Sequence, residues 1–297
     1  MDNNYVHHEP VLAKSLVEQI AIPPDGVMVD ATIGQGGHSY LLAGEMTAEG
    51  TLLGIDFDAD SIERACRNLS SLDCRLILVR GNFAELPKHM AEHGLKRADF
   101  ILADLGICSA QIEDEKTGMS FQKDMPLDMR LDKSLNTNAA DIVNSMEENS
   151  LADLIYEFGQ ERASRKIAAN IVHYRRKQRI KTTGQLAGII RNALGRRHAK
   201  IHPATRTFQA LRIAVNNEME NLERLLEAAP DLLNSAGRIA IISFHSLEDR
   251  RVKVNFRENS KKGIYELIKK KPIKPDRDEL AENPRARSAK LRIAAKV

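Results

Sequence analysis

The sequence Asp30-Ala-Thr-Ile-Gly-Gln-Gly-Gly-His38 joins a short apolar run, residues 26–30, to a segment with helical character that begins near His38. Its glycines let the backbone approach a ligand closely, and the N-terminus of the following helix offers free N–H groups. A glycine-rich loop between a strand and a helix is typical of the ligand-binding edge of a doubly wound α/β sheet. The alternative interpretation is a tight turn that binds nothing.

Further short runs rich in Val, Ile and Leu alternate with helix-like stretches on either side of this loop. The predicted strands are residues 26–30, 51–56, 75–79, 99–104 and 237–243, and the predicted helices are residues 10–22, 38–46, 60–69 and 83–93. Strands that are apolar throughout are buried on both faces, so the pattern predicts a parallel sheet covered by helices. A last strand over residues 288–295 is expected at an edge of this sheet.

The strand pattern disappears between residues 110 and 204, where helical patterns with many charges cover residues 151–178 and 183–194. Thr183 is the expected N-cap of the second of these helices. A long helical stretch over residues 205–233 then leads back into the sheet. We therefore predict a discontinuous sheet domain, residues 1–109 and 205–297, interrupted by a helical insertion, residues 110–204.

The composition is that of an ordinary globular protein. The 297 residues are 42% hydrophobic and 29% charged, which excludes disordered and fibrous classes. Because 44 Lys and Arg oppose 41 Asp and Glu, any surface for nucleic acid must be local. Three cysteines are too few for a disulfide framework or a zinc ribbon, and we predict no metal site. The sequence shows neither a signal peptide nor a membrane-spanning run, so we expect a soluble, cytoplasmic protein.

Asp56 ends the second predicted strand, where doubly wound folds place an acid that binds the ribose hydroxyls of an adenosine. The loop reads G-x-G-G-H, whereas loops that bind a dinucleotide usually read G-x-G-x-x-G to accommodate a pyrophosphate. S-adenosylmethionine has no phosphate. The sequence therefore favours S-adenosylmethionine and leaves a nicotinamide cofactor as the alternative.

Asp104 ends the fourth predicted strand, in the crevice where parallel sheets bind ligands. Methyltransferases of exocyclic amines place Asp, Asn or Ser there, because acceptors on the amine N–H groups favour its attacking, pyramidal form. The Pro-Pro-aromatic sequence usual in such enzymes is absent, so Asp104 could contact the cofactor, the target amine or both, or merely cap a helix. His245, just after the fifth strand, is a second catalytic candidate.

Basic residues concentrate in and around the predicted insertion. The candidates for contact with RNA phosphates are Arg175, Arg176, Lys177, Arg179, Lys181 and Arg206. Phosphate contacts supply affinity without sequence information. A solvated helix face is the alternative interpretation of such a charge run.

Along nearly its whole length the chain closely resembles the bacterial ribosomal RNA small-subunit methyltransferase H family, the MraW family. The motifs that carry the resemblance are His8-Glu-Pro-Val-Leu12, Gly34–His38, Asp104-Leu-Gly106, Pro126-Leu-Asp-Met-Arg130, His202-Pro-Ala-Thr-Arg-Thr-Phe-Gln209, Ser243-Phe-His-Ser-Leu-Glu-Asp-Arg250 and Glu282-Asn-Pro-Arg-Ala-Arg-Ser288. The resemblance implies a class I methyltransferase fold with a helical insertion. It also implies S-adenosylmethionine-dependent N4-methylation of the decoding-centre cytidine of 16S ribosomal RNA, within the small ribosomal subunit.

The resemblance further implies which residues contact the cofactor. These are Gly36, Gly37, His38, Asp56, Phe83, Asp104 and Gln111. Two departures stand beside them: Gln35 where the family often has Arg, and Ile107-Cys108 where Val-Ser is usual. A catalytically inert RNA-binding or assembly factor on the same fold, and a nicotinamide-dependent oxidoreductase, are the competing hypotheses. The sequence leaves the oligomeric state open.

Overall fold

The computed structural model describes residues 10–106, 117–195 and 201–297, which divide into two compact units. The sheet unit extends to Gly106 and resumes at Glu220, and the helical unit lies between Ile107 and Met219. Gln111 and Cys108, which the sequence analysis singled out, lie outside the described residues.

A seven-stranded sheet, in the order β3-β2-β1-β4-β5-β7-β6, forms the centre of the sheet unit in the described residues. Its strands are β1 (Val27–Asp30), β2 (Thr51–Asp56), β3 (Arg75–Arg80), β4 (Ala98–Asp104), β5 (Leu233–Ser243), β6 (Tyr265–Leu267) and β7 (Lys290–Lys296). The first five strands are parallel, and β7 is antiparallel to both of its neighbours. The five predicted strands and the doubly wound fold class are confirmed. The last strand was wrongly placed at the edge, because β6 pairs outside it.

The helices cover both faces of this sheet or form the helical unit. In chain order they are α1 (Ala13–Gln19), α2 (Gly37–Leu42), α3 (Ala59–Asn68), α4 (Leu86–Glu92), α5 (Ala139–Ser145), α6 (Glu148–Gly159), α7 (Ser164–Arg175), α8 (Thr183–Leu194), α9 (Thr205–Val215), α10 (Glu218–Leu232), α11 (Ser246–Lys261) and α12 (Arg277–Glu282). In the described ranges, none of them combines the length and apolar character that crossing a membrane requires.

Alternate residues along the central strands face two separate hydrophobic cores. Leu53 of β2 and Ile101 of β4 belong to the core on one face, and Leu52 and Leu102 belong to the core on the other. All four side chains are fully buried, and each contributes roughly 1.5–3 kcal/mol to folding. The burial of both faces explains why these strands are apolar throughout.

The register of β1 fixes where the acidic strand ends lie. Asp30 pairs with Gly54 of β2 on one side and with Leu102 of β4 on the other. Asp56 and Asp104 each lie two residues beyond these partners on their own strands. All three acids therefore reach the carboxyl edge of the sheet, beside the glycine loop.

The predicted helix over residues 151–178 is wrong as a single element, because the chain turns between α6 and α7. Gln160 takes a left-handed conformation, with φ 50°, and caps α6. A Cβ at Gly159 would lie 2.5 Å from the carbonyl oxygen of Arg206, so only glycine lets these backbones approach so closely. Close packing within the helical unit sets this break.

Helix α8 covers the predicted residues, but its N-cap is Thr182 rather than Thr183. The Thr182 hydroxyl accepts the backbone N–H of Gln185, and the Gln185 side chain returns to the backbone of Thr182, a capping box. The Thr183 hydroxyl is buried and accepts the N–H of Met125 at 3.0 Å. The Thr183 hydroxyl, which the sequence analysis assigned to the cap, therefore makes a tertiary contact with Met125 instead.

The boundary predicted between residues 204 and 205 also differs from the structure. Helix α9 belongs to the helical unit, because Phe208, Leu211 and Val215 pack in the core of that unit. The predicted helix over residues 205–233 is interrupted at Asn217, which has a φ of 50°. The chain returns to the sheet unit only within α10.

Candidate active site

The glycine loop after β1 requires glycine for two separate reasons. Gly34 and Gly36 have φ values of 51° and 86°, in the left-handed region that favours glycine. A Cβ on Gly36 would also lie 2.9 Å from Cγ of the buried Leu69. The Asn68 side chain donates to the carbonyl of Gln35 at 2.9 Å and holds the loop against the end of α3. The loop is therefore rigid before any ligand arrives.

Asp56 ties the glycine loop to the end of β2. One carboxylate oxygen accepts the N–H of Gly34 at 3.0 Å, and the other accepts the N–H of Asp58 at 2.9 Å. Burial raises the pKa of Asp56, while these two hydrogen bonds act in the opposite direction. A carboxylate has about four acceptor positions, so Asp56 keeps capacity for the hydroxyls of a ligand.

Asp30 has a structural use that the sequence analysis did not identify. Its two oxygens accept the N–H of Thr32 at 3.1 Å and the hydroxyl of Ser39 at 2.6 Å, so it joins the end of β1 to α2. Burial raises the pKa of Asp30 to about 6. Both oxygens serve the fold, which makes Asp30 a support for the loop.

Asp104 differs from the other two acids at this edge. Its backbone N–H donates to the Thr32 hydroxyl at 2.7 Å, which holds the end of β4 beside the loop. Its Oδ1 atom is buried and has no hydrogen-bond partner among the described residues. Burial raises the pKa of Asp104 to about 7. A buried acceptor without a partner is costly in a folded protein, which makes Oδ1 a candidate acceptor for a donor from a ligand.

His38 lies between Asp104 and the segment before α1. Its Nε2 atom is 2.8 Å from the carbonyl oxygen of Val11, so the hydrogen bond places the proton on Nε2. Nδ1 then carries the lone pair and lies 3.7 Å from Oδ2 of Asp104. Burial lowers the pKa of His38, which keeps the ring neutral at pH 7. The ring is in contact with Asp104, an arrangement that the sequence did not reveal.

Phe83 follows β3 as the first residue of a 3-10 turn, Phe83–Glu85. Asn82 begins this turn by accepting the N–H of Ala84 at 2.8 Å, and its amide donates to Asn221 at 2.9 Å. Phe83 is half-buried and packs against the hydrophobic core on that face of the sheet. Part of its surface stays exposed, and its contact with the cofactor remains a prediction.

His245 starts α11 directly after β5. Its Nδ1 atom accepts the N–H of Glu248 at 3.4 Å, and its Nε2 atom lies 3.2 Å from Oε1 of Glu248. The buried Glu248 accepts the N–H of His245 in return, at 3.2 Å, and also that of Phe244, at 2.9 Å. This reciprocal arrangement is a capping box, so the geometry favours a structural use of His245 over a catalytic one.

The predicted RNA-binding residues lie in the helical unit, and three of them, Arg175, Arg179 and Arg206, have structural contacts. Arg175 donates to the carbonyl of Val143 at 2.9 Å, and Arg179 pairs with Asp141 at 3.0 Å. Four residues of the run are exposed: Arg176, Lys177, Arg179 and Lys181. Arg206 is half-exposed and lies near the carbonyl of Gln160, at 3.3 Å.

Comparisons of the sequence with known proteins identify one family. The sequence pattern of the MraW methylase family matches residues 5–297. A ribosomal RNA small subunit methyltransferase H from Syntrophobacter fumaroxidans is 44% identical, over 98% of this chain and 97% of the relative. One from Cyanothece sp. is 45% identical, over 98% and 95%. The crystal structure of an rRNA methylase from Streptococcus thermophilus, 11% identical, covers 96% of this chain and 93% of its own, with a TM-score of 0.46.

Proposed function

Since the chain belongs to the MraW methylase family, we propose that it methylates the N4 amine of the decoding-centre cytidine in 16S ribosomal RNA, within the small ribosomal subunit. The family and the names of its relatives support the broader part of this proposal, S-adenosylmethionine-dependent methylation of small-subunit ribosomal RNA. The buried, unpartnered Oδ1 of Asp104, beside a rigid glycine loop, is the observation that carries the choice of an amine.

The described residues fit S-adenosylmethionine by their chemistry. The backbone of Gly36, Gly37 and His38 would line its amino-acid end, Asp56 would accept from the ribose hydroxyls, and Phe83 would pack against the adenine. The sulfonium of the cofactor supplies an electrophilic methyl group. The buried and partly buried acids at this edge suit a ligand that carries positive charge, since a nearby cation stabilises a carboxylate that has lost much of its water.

Asp104 performs the acid–base part of the reaction in this proposal. The lone pair of an exocyclic amine is delocalised into the cytosine ring, so the amine attacks poorly. When Oδ1 of Asp104 accepts an amine N–H, the lone pair is directed away from the ring plane and the developing positive charge is stabilised. The methylated amine then gives its extra proton to this carboxylate, whose pKa near 7 allows it both to take and to release a proton.

The exposed cations of the helical unit support an RNA substrate. Arg176, Lys177 and Lys181 project from the end of α7 and the segment that follows it. We assign them to phosphate contacts, which position a nucleic acid without reading its sequence.

His245 remains a second catalytic proposal, with its own matched control. Asn is also a good N-cap, so His245→Asn should keep the start of α11 while removing the imidazole. Retained methyl transfer in this variant would assign His245 to the cap. Loss of transfer in a variant with unchanged unfolding would assign it to the reaction.

Transfer of labelled methyl groups to small ribosomal subunits, isolated from a strain that lacks the protein, tests the whole proposal. We expect label in N4-methylcytidine after digestion to nucleosides. Label in another nucleoside would overturn the N4 assignment. Absence of label with the wild-type protein would favour a non-catalytic assembly factor, and a co-purified nicotinamide would favour the oxidoreductase.

A further inference from the structure

The helical unit contains an aromatic stack that the proposed reaction does not use. Phe121 and His202 lie with ring centroids 4.4 Å apart and planes 25° apart. Phe121 also meets the edge of Phe208, with centroids at 4.9 Å and planes at 76°. Phe208 is only 4% exposed and belongs to the core of the helical unit, so the stack is anchored from below.

The outer ring of the stack is exposed, yet it is held in place. His202 is exposed, whereas Phe121 is half-buried. The Nδ1 atom of His202 accepts the N–H of Ala204 at 3.2 Å, and its carbonyl accepts the N–H of Thr205 at 3.0 Å. These bonds fix the ring before anything binds. A fixed flat ring loses little conformational entropy when a second flat group stacks on it.

Two exposed cations lie at or near the start of α9, the helix that carries Phe208 of the stack. Arg206, the second residue of α9, follows His202 by four residues, and 47% of its side chain is exposed. Its guanidinium lies 3.3 Å from the carbonyl of Gln160, which brings the turn between α6 and α7 next to the start of α9. That turn also carries the exposed Arg162. Glu161, 3.8 Å from Arg206 and mostly buried, neutralises part of this charge.

We propose that His202, backed by Phe121, is a stacking platform for an unpaired RNA base, and that Arg206 contacts an adjoining phosphate. An exposed ring next to arginine suits a nucleotide, because each nucleotide presents both a flat base and an anion. Sequence-specific and sequence-tolerant RNA binding both use such rings. The inference rests on the proposed function, which makes RNA the substrate. It adds that the helical unit binds this RNA by stacking a base on His202 as well as by contacts to phosphates.

Two substitutions at one position separate the platform from a helix cap. His202→Asn keeps an acceptor for the N–H of Ala204 and removes the ring, whereas His202→Phe keeps a ring and removes the acceptor. The probe is a single-stranded oligoadenylate of about ten nucleotides. An abasic strand with the same phosphates is its control. We expect His202→Asn to bind oligoadenylate roughly 5- to 150-fold more weakly, the range for one lost stack.

The affinities of the two variants should differ in opposite directions for a stacking platform and for a helix cap. His202→Phe should bind oligoadenylate within about threefold of wild type, and the abasic strand should not distinguish any of these proteins. If His202→Phe loses affinity while His202→Asn keeps it, the residue is a cap and the proposal is wrong. Equal binding of both strands by the wild-type protein would also overturn it, as would preferential binding of a peptide at this surface.

The absence of tryptophan from the sequence gives a direct spectroscopic test. His202→Trp introduces a single indole at the platform, and its fluorescence should be quenched by oligoadenylate but not by the abasic strand. Unchanged fluorescence while the RNA binds would contradict stacking at this position. Methyl transfer by the wild-type protein keeps the two proposals separate, because a protein that methylates but shows no stacking refutes only the platform.

Discussion

The candidate groups of the sheet unit are buried or partly buried acids, whereas those of the helical unit are exposed bases. Asp30, Asp56 and Asp104 lie at the carboxyl edge of a sheet that is covered on both faces, where burial raises the pKa of each carboxyl. Arg176 and Lys177 are exposed directly after the end of α7. Acids that are largely removed from water suit a small ligand that carries positive charge, and exposed bases suit a polyanion. The difference favours the sheet unit for the proposed cofactor site and the helical unit for the proposed RNA contacts.

The acids of the sheet unit also differ among themselves. Both oxygens of Asp56 accept backbone N–H groups, so its carboxylate is oriented before any ligand binds. Oδ1 of Asp104 is buried without a partner among the described residues. We therefore expect Asp56 to contribute to binding and Asp104 to contribute to turnover.

Asp104→Asn should produce the largest effect. Asn keeps a carbonyl acceptor but has no negative charge for the developing cationic amine, so we expect kcat to fall roughly 100- to 1000-fold. The affinity for S-adenosylmethionine should fall much less. Single-turnover methyl transfer at saturating cofactor, together with calorimetric titration, measures the two separately. Unchanged turnover would remove Asp104 from the reaction and leave it a cofactor or structural role.

Asp56→Ala should weaken S-adenosylmethionine binding by about 1.5–3 kcal/mol, or roughly 10- to 150-fold, the range for hydrogen bonds to a charged group. Turnover at saturating cofactor should change little. Because Asp56 also holds the N–H of Gly34, the variant needs a denaturation curve as a control. Wild-type affinity in a folded variant would contradict the ribose assignment.

The pKa of Asp104 predicts how the rate depends on pH. Only the carboxylate accepts the amine proton, so the rate should be level above pH 8 and fall about tenfold for each pH unit below 7. Asp104→Asn should lack this dependence over the same range. Rates measured between pH 5.5 and about 8.5 in buffers of constant ionic strength test this. A wild-type profile that stays level down to pH 5.5 would exclude Asp104 as the proton acceptor.

The titration of Asp104 also affects the stability of the protein. As the pH falls, the rate should decrease while the stability increases. The folded state raises the pKa of Asp104 above the unfolded value of 3.8, so folding favours the protonated form. The contribution to stability is therefore complete below about pH 4 and is lost as the pH rises through 7. Asp104→Asn should increase the free energy of unfolding at pH 8 by roughly 1–3 kcal/mol relative to its effect at pH 4. Urea denaturation at the two pH values measures this difference.

Replacing the exposed bases of the helical unit should have a smaller effect, and that effect should be on the binding of the ribosomal subunit. Arg175 and Arg179 contact Val143 and Asp141, so replacing the whole run would confuse affinity with folding. The triple replacement of Arg176, Lys177 and Lys181 by Gln avoids both contacts. We expect subunit binding to weaken several-fold and the slope of log affinity against log salt to fall by up to about 2.

Cofactor binding should be unchanged in this triple variant. Its control is the replacement of Lys253, Arg257 and Lys261 by Gln, which removes the same charge from α11 of the sheet unit. An unchanged salt slope in the helical variant would place the RNA contacts elsewhere, with Arg206 the next candidate.

Sequence reasoning located the sheet and its acidic edge because both depend on local patterns. β2 matches the predicted residues 51–56, and Asp56 and Asp104 end strands as expected. It misplaced the break in residues 151–178, since the break depends on the close approach of Gly159 to Arg206, far along the chain. It also gave Thr183 the capping role of Thr182, because either hydroxyl could cap α8 until Met125 was placed beside one of them.

The candidate site likewise combines features that local sequence determines with features that depend on contacts between distant parts of the chain. The sequence by itself determined the glycine loop and the acids at the strand ends, because hydrophobic periodicity and glycine spacing are local properties of the chain. Only the tertiary structure decided that each oxygen of Asp56 accepts a backbone N–H group while Oδ1 of Asp104 has no partner among the described residues. The contact between His38 and Asp104 likewise depends on β4 lying beside β1. Such contacts arise from the pairing of strands that are distant in sequence. Hydrogen bonding and desolvation then give residues of the same type, such as Asp56 and Asp104, different properties.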